Sequence, residues 1–383
     1  MGKIYISHNN IISSLGMDSK TVVSKIKDGI SGLKVVKDDT LLNEAFCSSL
    51  LNKATLASAF KKIGNPEQHT TLEQMMLLSL SKVIDKIDFP LDEKVGLIIS
   101  TTKGNIDTLE KDNPFTEDRA YLATLGKVIK DFFSFKNDAL VLSNACISGS
   151  LALGIAKRYI AHGTYNHVFV VGGDVVSKFI LSGFQSFQAL SNTPCEPYSK
   201  DRKGINIGEL AGTALVTNNP SYLCPEAVCI LGESSCNDAN HISGPSRTGE
   251  GLYQSVYKAM EEAQCTTEDI QYISAHGTAT AFNDEMEAIA FNRLGLQHTP
   301  LNSLKGYFGH TLGASGLVET IIGMHSVYQN TLFPSLGFKE LGVSMPINII
   351  QEKTTTPLQT FLKTASGFGG CNSAMVLKKC SNE

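Results

Sequence analysis

The sequence predicts an α/β chain built on a mostly parallel, helix-covered sheet. Two observations carry that prediction. Short β-branched strands alternate with apolar helices from end to end, and strands separated by helices imply crossover connections over a sheet. A small-residue turn opening an apolar helix also occurs twice, at Ser148-Gly149 and 167 positions later at Ser315-Gly316. This echo hints at duplication, and the turn-rich stretch 218–225 (NNPSYLCP) is the best boundary between halves, giving units of 1–222 and 223–383.

The elements follow in order. Residues 3–7 alternate as a short strand, and 20–27 form a helix closed by Gly29. Residues 72–87 (LEQMMLLSLSKVIDKI) carry apolar side chains at helical spacing, with Glu73 early and Lys82 and Lys86 late, as the helix dipole favours. Residues 95–100 read as a buried strand, 122–133 as a helix and 139–143 as a strand. An apolar helix over 148–162 ends at Gly163, a position suited to a left-handed cap. The run HVFVVG over 167–172 is continuous and β-branched, as a strand buried on both faces is. In the second half, strands are expected at 212–217, 228–231, 270–275, 360–365 and 374–378. Helices are expected at 251–263, 283–294 (capped by Asn283 or Asp284) and 317–328.

Composition narrows the class. The chain has 383 residues, 42% hydrophobic and 18% charged, which excludes a disordered chain. A net charge of −4 gives no overall basic field to attract nucleic acid. The longest apolar runs are strand-sized, far short of the ~20 residues of a membrane span. The opening MGKIYISHNN lacks the apolar run of a secretory leader, and Ile6 stands where a myristoylation motif needs Ser or Thr. Nine scattered cysteines, an odd number, read as free thiols of a cytoplasmic chain, one of them a candidate for reactivity.

Four segments carry chemistry. In Asn144-Ala145-Cys146-Ile147-Ser148-Gly149-Ser150 a strand runs through small residues into a helix, which places Cys146 at a sharp elbow. A helix N-terminus favours a thiolate, so a lowered thiol pKa is expected, with acyl transfer to it needing little help from a base. The alternative is an inert buried cysteine. In His276-Gly277-Thr278-Ala279-Thr280 a histidine follows a buried strand, where α/β folds place their ligand crevice. In Lys305-Gly306-Tyr307-Phe308-Gly309-His310 the histidine precedes a helix start, which disfavours its cationic form. Against these stand two histidines that merely cap turns and a solvated lysine. Gly367-Phe368-Gly369-Gly370 is a tight loop between strands that presents backbone amides. Cys224, Cys229, Cys236 and His241 cluster, but without the tight Cys-x2-Cys spacing of zinc motifs; buried thiols are the better reading, and no metal is expected.

In this order the four segments resemble the elongating β-ketoacyl-acyl carrier protein synthases of the thiolase superfamily, and the likeness covers nearly the whole chain. The opening with Gly16 and 29–32 fits, as does Tyr198-Ser199-Lys200-Asp201-Arg202-Lys203-Gly204 leading to Gly208-Glu209. The resemblance implies a thiolase-like five-layered αβαβα fold of two similar halves, acting as a cytoplasmic homodimer or beside a chain-length factor. It implies an acyltransferase of fatty-acid or polyene/polyketide-type chain elongation. Cys146 accepts the acyl chain, and His276 and His310 decarboxylate malonyl-ACP and stabilise its enolate. The amides of Cys146 and Phe368 form an oxyanion hole, with Phe368 also the gate. Lys305 pairs with Glu319, Asp284 and Glu287 support the first histidine, and Thr278 and Thr280 hold the phosphopantetheine arm. No cofactor is implied beyond the pantetheine of the acyl carrier protein. That acidic partner is expected to dock on Lys61, Lys62, Lys200, Arg202 and Lys203.

The sequence also departs from the family. The chain is short, Lys203 stands where an acid is common, Tyr307 and Phe308 are bulky, and Cys371 replaces a threonine. The length and Thr101-Thr102-Lys103-Gly104 are similar to ketosynthases of bacterial aryl-polyene-type pathways. The rival readings are a non-catalytic chain-length factor, which would lack the nucleophile, and a CoA-dependent thiolase, which would need Cys371 as a second catalytic cysteine.

Overall fold

The computed structural model describes residues 2–238, 241 and 244–380. Its main sheet has eleven strands. From one edge they run Asn348–Ile349, Pro300–Asn302, Tyr272–Ser274, Thr360–Gly367, Cys371–Lys379, Val228–Asn237, Tyr5–Ser13, Leu210–Thr217, His167–Asp174, Val95–Ser100 and Leu140–Leu142. Two half-sheets of like order meet where Tyr5 pairs with Cys229 and Ile6 with Val228.

The sheet is mixed, not mostly parallel. Val95–Ser100 pairs in parallel with both neighbours, and so does Tyr272–Ser274. Leu210–Thr217 runs antiparallel to Tyr5–Ser13 and to His167–Asp174, and Cys371–Lys379 antiparallel to both of its neighbours. Alternation of helix and strand fixes a parallel neighbour only where one helix makes the whole connection. Here the 367–370 loop closes a hairpin, and Leu210–Thr217 returns after a long irregular stretch. The first strand also continues to Ser13 through the polar run His8-Asn9-Asn10, which hides the alternation, with a register shift between Ile6 and Asn9.

Two helices form the middle layer. Ser148–Ala161 and Ser315–Tyr328 pack on each other, and each touches strands of both half-sheets. Outside, Thr71–Ile84 covers the first half-sheet and Glu250–Ala263 the second. The result is five layers, helix–sheet–helix–sheet–helix. The largest apolar cluster joins Ile6, Ala152 and Val168 to Ile321, Phe361 and Leu377, so both halves share one core. Helix Thr71–Ile84 begins with a capping box between Thr70 and Glu73. Glu73 is fully buried and ion-paired with Arg119, which pins the 117–120 turn above it. No helix among the described residues is long and apolar enough to cross a membrane.

Candidate active site

The elbow at Cys146 forms as its small residues require. Ala145 takes φ 44°, a left-handed conformation, between the strand end and the helix that begins at Ser148. The Ser148 hydroxyl fixes the turn by donating to Ala145 O (2.6 Å) and accepting from Asn144 N (2.8 Å). Cys146 is 7% exposed.

The loop bearing His276 is held by two carboxylates one helical turn apart. Glu287 accepts from His276 N at 2.9 Å and Gly277 N at 2.7 Å; Asp284 accepts from Thr278 N at 3.0 Å and Tyr198 N at 2.7 Å. Asp284 therefore does not cap its helix. The helix spans Ala281–Arg293 with Thr280 as N-cap, leaving Asp284 in the first turn, fully buried and aimed at the loop. Desolvation pushes its carboxyl up to about 7, and Glu287 is raised for the same reason.

His310 is delivered by close backbone packing. Its N–H donates to Asn206 O at 2.6 Å, and Gly208 N donates back to its carbonyl at 3.0 Å. A Cβ on Gly208 would lie 1.7 Å from Phe308 O, so only glycine fits there. His310 Nδ1 lies 3.0 Å from the Ser315 hydroxyl, which also accepts from Thr311 N. If that hydroxyl donates to Nδ1, the ring proton sits on Nε2, the nitrogen left without a partner among the described residues.

Cys146 Sγ and one nitrogen of each histidine lie within 4.8 Å of one another, and the two rings stand edge to face at 5.2 Å. All three residues line one cavity of about 730 Å³. Phe368 is in its wall, and its backbone N–H is directed at Cys146. Around its ring stand Phe184 at 5.5 Å and Phe187 at 5.3 Å. Thr278 and Thr280 line the same cavity, their hydroxyls 2.8 Å apart. Arg247 and His241 do so as well; the sequence reading singles out no role for Arg247 and weighs His241 only with the Cys224 cluster.

Charge in the site departs from the expectation for the thiol. Burial, and secondarily Cys371, push Cys146 up to about 12; Lys305, the Phe368 amide and Lys103 oppose this without reversing it. The elbow holds a thiol, because complete desolvation outweighs the helix N-terminus. Both imidazoles are driven the other way. Burial lowers His276 and His310 well below the ordinary histidine value, and Lys305 and Lys363 add to it. Two neutral rings thus face a neutral thiol.

Lys305 is not solvated. It is fully buried, ion-paired with Glu319, and donates to His276 O at 3.0 Å. Lys363, absent from the sequence reading, is equally buried and meets the other oxygen of Glu319 at 2.6 Å. A lysine inside a β-branched strand looks like an outward-facing residue, so periodicity gave no signal. Asp174 escaped notice too. Its buried carboxylate gathers Thr101, Thr102 N and Gly313 N, tying the 101–104 loop to the turn after His310. The ligand spacing around Cys146 is short enough for a metal, but two buried ammonium groups behind the rings oppose a further cation. Cys229 and Cys236 lie seven residues apart on one strand, roughly 20 Å, and so cannot share an ion.

The expected docking residues separate. Arg202 is a correction: its side chain is only 8% exposed, lies 3.5 Å from Asp284, and donates to Ser199 O and Gly342 O, both at 2.8 Å. It braces the loop beneath the His276 segment. Lys200 is exposed and paired with Glu340, while Lys61, Lys62 and Lys203 are exposed. None of the five lines the cavity; Arg247, exposed at its wall, does. Tyr307 and Phe308 lie in the core, away from the cavity. Cys371 donates its thiol to Phe368 O at 3.2 Å.

Comparison with known proteins follows this geometry. Residues 227–339 match the family model "Beta-ketoacyl synthase, C-terminal domain", and residues 141–182 match "3-Oxoacyl-[acyl-carrier-protein (ACP)] synthase III". A 3-oxoacyl-[acyl-carrier-protein] synthase 2 of Rhizobium meliloti (strain 1021) is 32% identical over 251 residues, 61% of this chain and 59% of that protein. The synthase of the same description from Staphylococcus aureus (strain COL) is 24% identical over 410 residues, 98% of each chain. A ketosynthase solved in complex with its chain length factor, from Xenorhabdus doucetiae, has a TM-score of 0.88 at 24% identity, covering 99% of this chain and 98% of that one. A β-ketoacyl synthase from Burkholderia phymatum has a TM-score of 0.87 at 22% identity, covering 100% of both.

Proposed function

We propose that the chain is a β-ketoacyl synthase of the thiolase superfamily, an acyltransferase-type enzyme with a thiolase-like fold, and that its own residues carry out chain elongation. The reaction is 3-oxoacyl-[acyl-carrier-protein] synthesis. The observation that carries it is the convergence of Cys146, His276 and His310 within 4.8 Å in one cavity.

In the first half-reaction an imidazole takes the Cys146 proton as sulfur attacks the acyl thioester of the carrier protein. The tetrahedral oxyanion is received by the amides of Cys146 and Phe368, and the pantetheine thiol leaves with the proton. In the second, malonyl-ACP loses CO2. The electron pair of the broken C–C bond moves onto the thioester oxygen, where N–H donors of His276 and His310 stabilise it. Such donors are worth ~3–4 kcal/mol each. The enolate carbon attacks the Cys146 thioester, the C–S bond breaks, 3-oxoacyl-ACP leaves, and the Cys146 thiolate takes a proton from water to replace the one that left with the first pantetheine thiol. The sequence balances without electron transfer, so these residues need no redox cofactor.

Phe368, flanked by Phe184 and Phe187, is the gate between the two half-reactions, and Thr278 and Thr280 take the pantetheine arm. The working unit is a homodimer, or a pair with a chain-length factor as in the Xenorhabdus complex. The division at 222/223 is part of this reading; the Pro220–Tyr222 turn lies at that junction. The complete Cys–His–His set argues against a non-catalytic subunit. Cys371, turned to the Phe368 carbonyl, does not serve as a thiolase's second catalytic cysteine. The test is mass spectrometry of the protein incubated with acyl-ACP and then malonyl-ACP. Acyl mass on Cys146, transferred to product when malonyl-ACP is added, is expected. No acylation across a panel of chain lengths overturns the assignment.

A further inference from the structure

Lys363 has no part in the chemistry just described, yet it is among the most completely enclosed side chains in the molecule. Its ammonium lies 2.6 Å from Glu319 Oε2, 2.7 Å from Thr364 O, 3.1 Å from Ser274 O and 3.5 Å from Ala275 O. An ammonium has three N–H donors, and here four oxygens surround it. That is the environment of a coordinated cation more than of a simple salt bridge. Ser274 and Ala275 are the two residues immediately before His276. Glu319 bridges Lys363 to Lys305, and Lys305 reaches the carbonyl of His276 itself. One carboxylate is thus shared by two lysines behind the two imidazoles; burial lowers Lys363, and Glu319 and Glu287 favour its charged form.

We propose that Lys363 is a positioning residue, a tethered cation that seats Glu319 and the strand end delivering His276 and adds its positive charge to that of Lys305 behind the two imidazoles. The inference rests on the ketosynthase reading, because it concerns how that site holds its donors. Burying an ion is costly unless its surroundings compensate, so a structural role alone would be served as well by an apolar side chain. Lys305 and Lys363 act on both rings and His310 on His276; the Cys146 thiol lies within 4.8 Å of both, Glu287 holds the His276 main chain, and Glu319 pairs with the two lysines. Among these Lys363 and Glu319 can be changed without removing a group that touches substrate.

The experiment is the pH profile of malonyl-ACP decarboxylation, with folding checked by thermal unfolding. Lys363→Met removes a positive charge while the burial of the rings remains, so the acid limb should move up toward ordinary histidine without reaching it. Glu319→Gln removes a negative charge and should move it down. Lys363→Ala leaves a hole the size of propylammonium, and added propylammonium should return the limb toward its wild-type place. Folded variants whose limbs stay where the wild-type limb lies, or move in the opposite sense, overturn the proposal. If Lys363→Met does not fold, Glu319→Gln decides alone. A wild-type protein that neither decarboxylates nor condenses malonyl-ACP defeats the ketosynthase reading instead, so the two failures are distinguishable.

Discussion

Gly149 and Gly316 lock the two halves of the molecule together at the starts of their central helices. A Cβ on Gly149 would lie 2.6 Å from Leu317 N, and one on Gly316 would lie 2.5 Å from Ser150 N. The contacts are reciprocal and made to backbone, which cannot rotate aside. Cys146 stands three residues before one glycine and His310 six before the other. The same contact therefore sets the distance between nucleophile and histidine. Gly149→Ala and Gly316→Ala should each cost at least ~1–3 kcal/mol, the usual range for overpacking. Denaturant midpoints measure that loss, and folded protein should lose condensation activity beyond it. A variant of wild-type stability and rate would mean that the helices can slide apart freely.

These glycines also mark how far the sequence could be read. The echo of Ser148-Gly149 in Ser315-Gly316 was visible because small residues before an apolar helix are rare enough to notice. Why they are small was not, because the reason lies in residues of the other half of the chain, Leu317 for Gly149 and Ser150 for Gly316. The four motifs were legible for a similar reason: each is a local strand-end or turn with its own chemistry. Strand direction was not, because pairing between Leu210–Thr217 and its neighbours is decided by long-range contacts. Lys363 and Asp174 were silent, as a buried charge has no periodic signature. The Arg202 assignment failed because three basic residues in four positions look like a surface, whereas its guanidinium is turned inward onto carbonyls.

The protonated resting thiol changes the expected division of labour between the half-reactions. A thiol held near 12 must lose its proton during attack, and the two neutral imidazoles are the bases within reach. His276→Ala and His310→Ala should therefore slow acyl loading as well as decarboxylation. Removing one oxyanion donor costs about 10²–10³ in rate, which is the expected loss of CO2 release for each variant. Loading by rapid-quench mass spectrometry should fall less, because one imidazole remains. Loading at the wild-type rate in both variants would show that sulfur is ionised by other means.

Simple alkylation should not find Cys146 first. Iodoacetamide at neutral pH needs thiolate and access, and Cys146 offers little of either. Half-exposed Cys236, on the Val228–Asn237 strand, should label sooner. An acyl epoxide that fills the cavity should reverse the order, because it brings its electrophile between sulfur and the imidazoles. Peptide mapping after each reagent checks this, and Cys146 alkylated first by both would contradict the raised thiol.

The pH dependence of wild-type decarboxylation has a definite sign. Both imidazoles are held well below 6.5, and the active form is neutral. Activity should stay flat as pH falls through 6.5 and decline only as the lowered values are crossed. An acid limb centred on ordinary histidine, near 6.5, would place the rings in a wetter site than the one described.

The carrier-protein surface should centre on Arg247. It is exposed and lines the cavity through which a pantetheine arm must reach Cys146. An acidic carrier is steered by exposed positive charge, an effect on association that salt screens beyond ~8–10 Å. Arg247→Glu should therefore raise KM for acyl-ACP and leave turnover of a short pantetheine thioester nearly unchanged. Its effect should shrink as salt is raised. Lys203→Glu tests the neighbouring exposed segment and should act in the same direction more weakly, since Lys203 does not line the cavity. Arg202→Glu should behave differently. It puts a carboxylate beside Asp284 and removes three hydrogen bonds to carbonyls, so stability should fall and both substrates should suffer alike. The contrast between Arg202 and Arg247 is the decisive measurement. If Arg247→Glu impaired both substrates equally, or spared acyl-ACP, the docking surface would lie elsewhere.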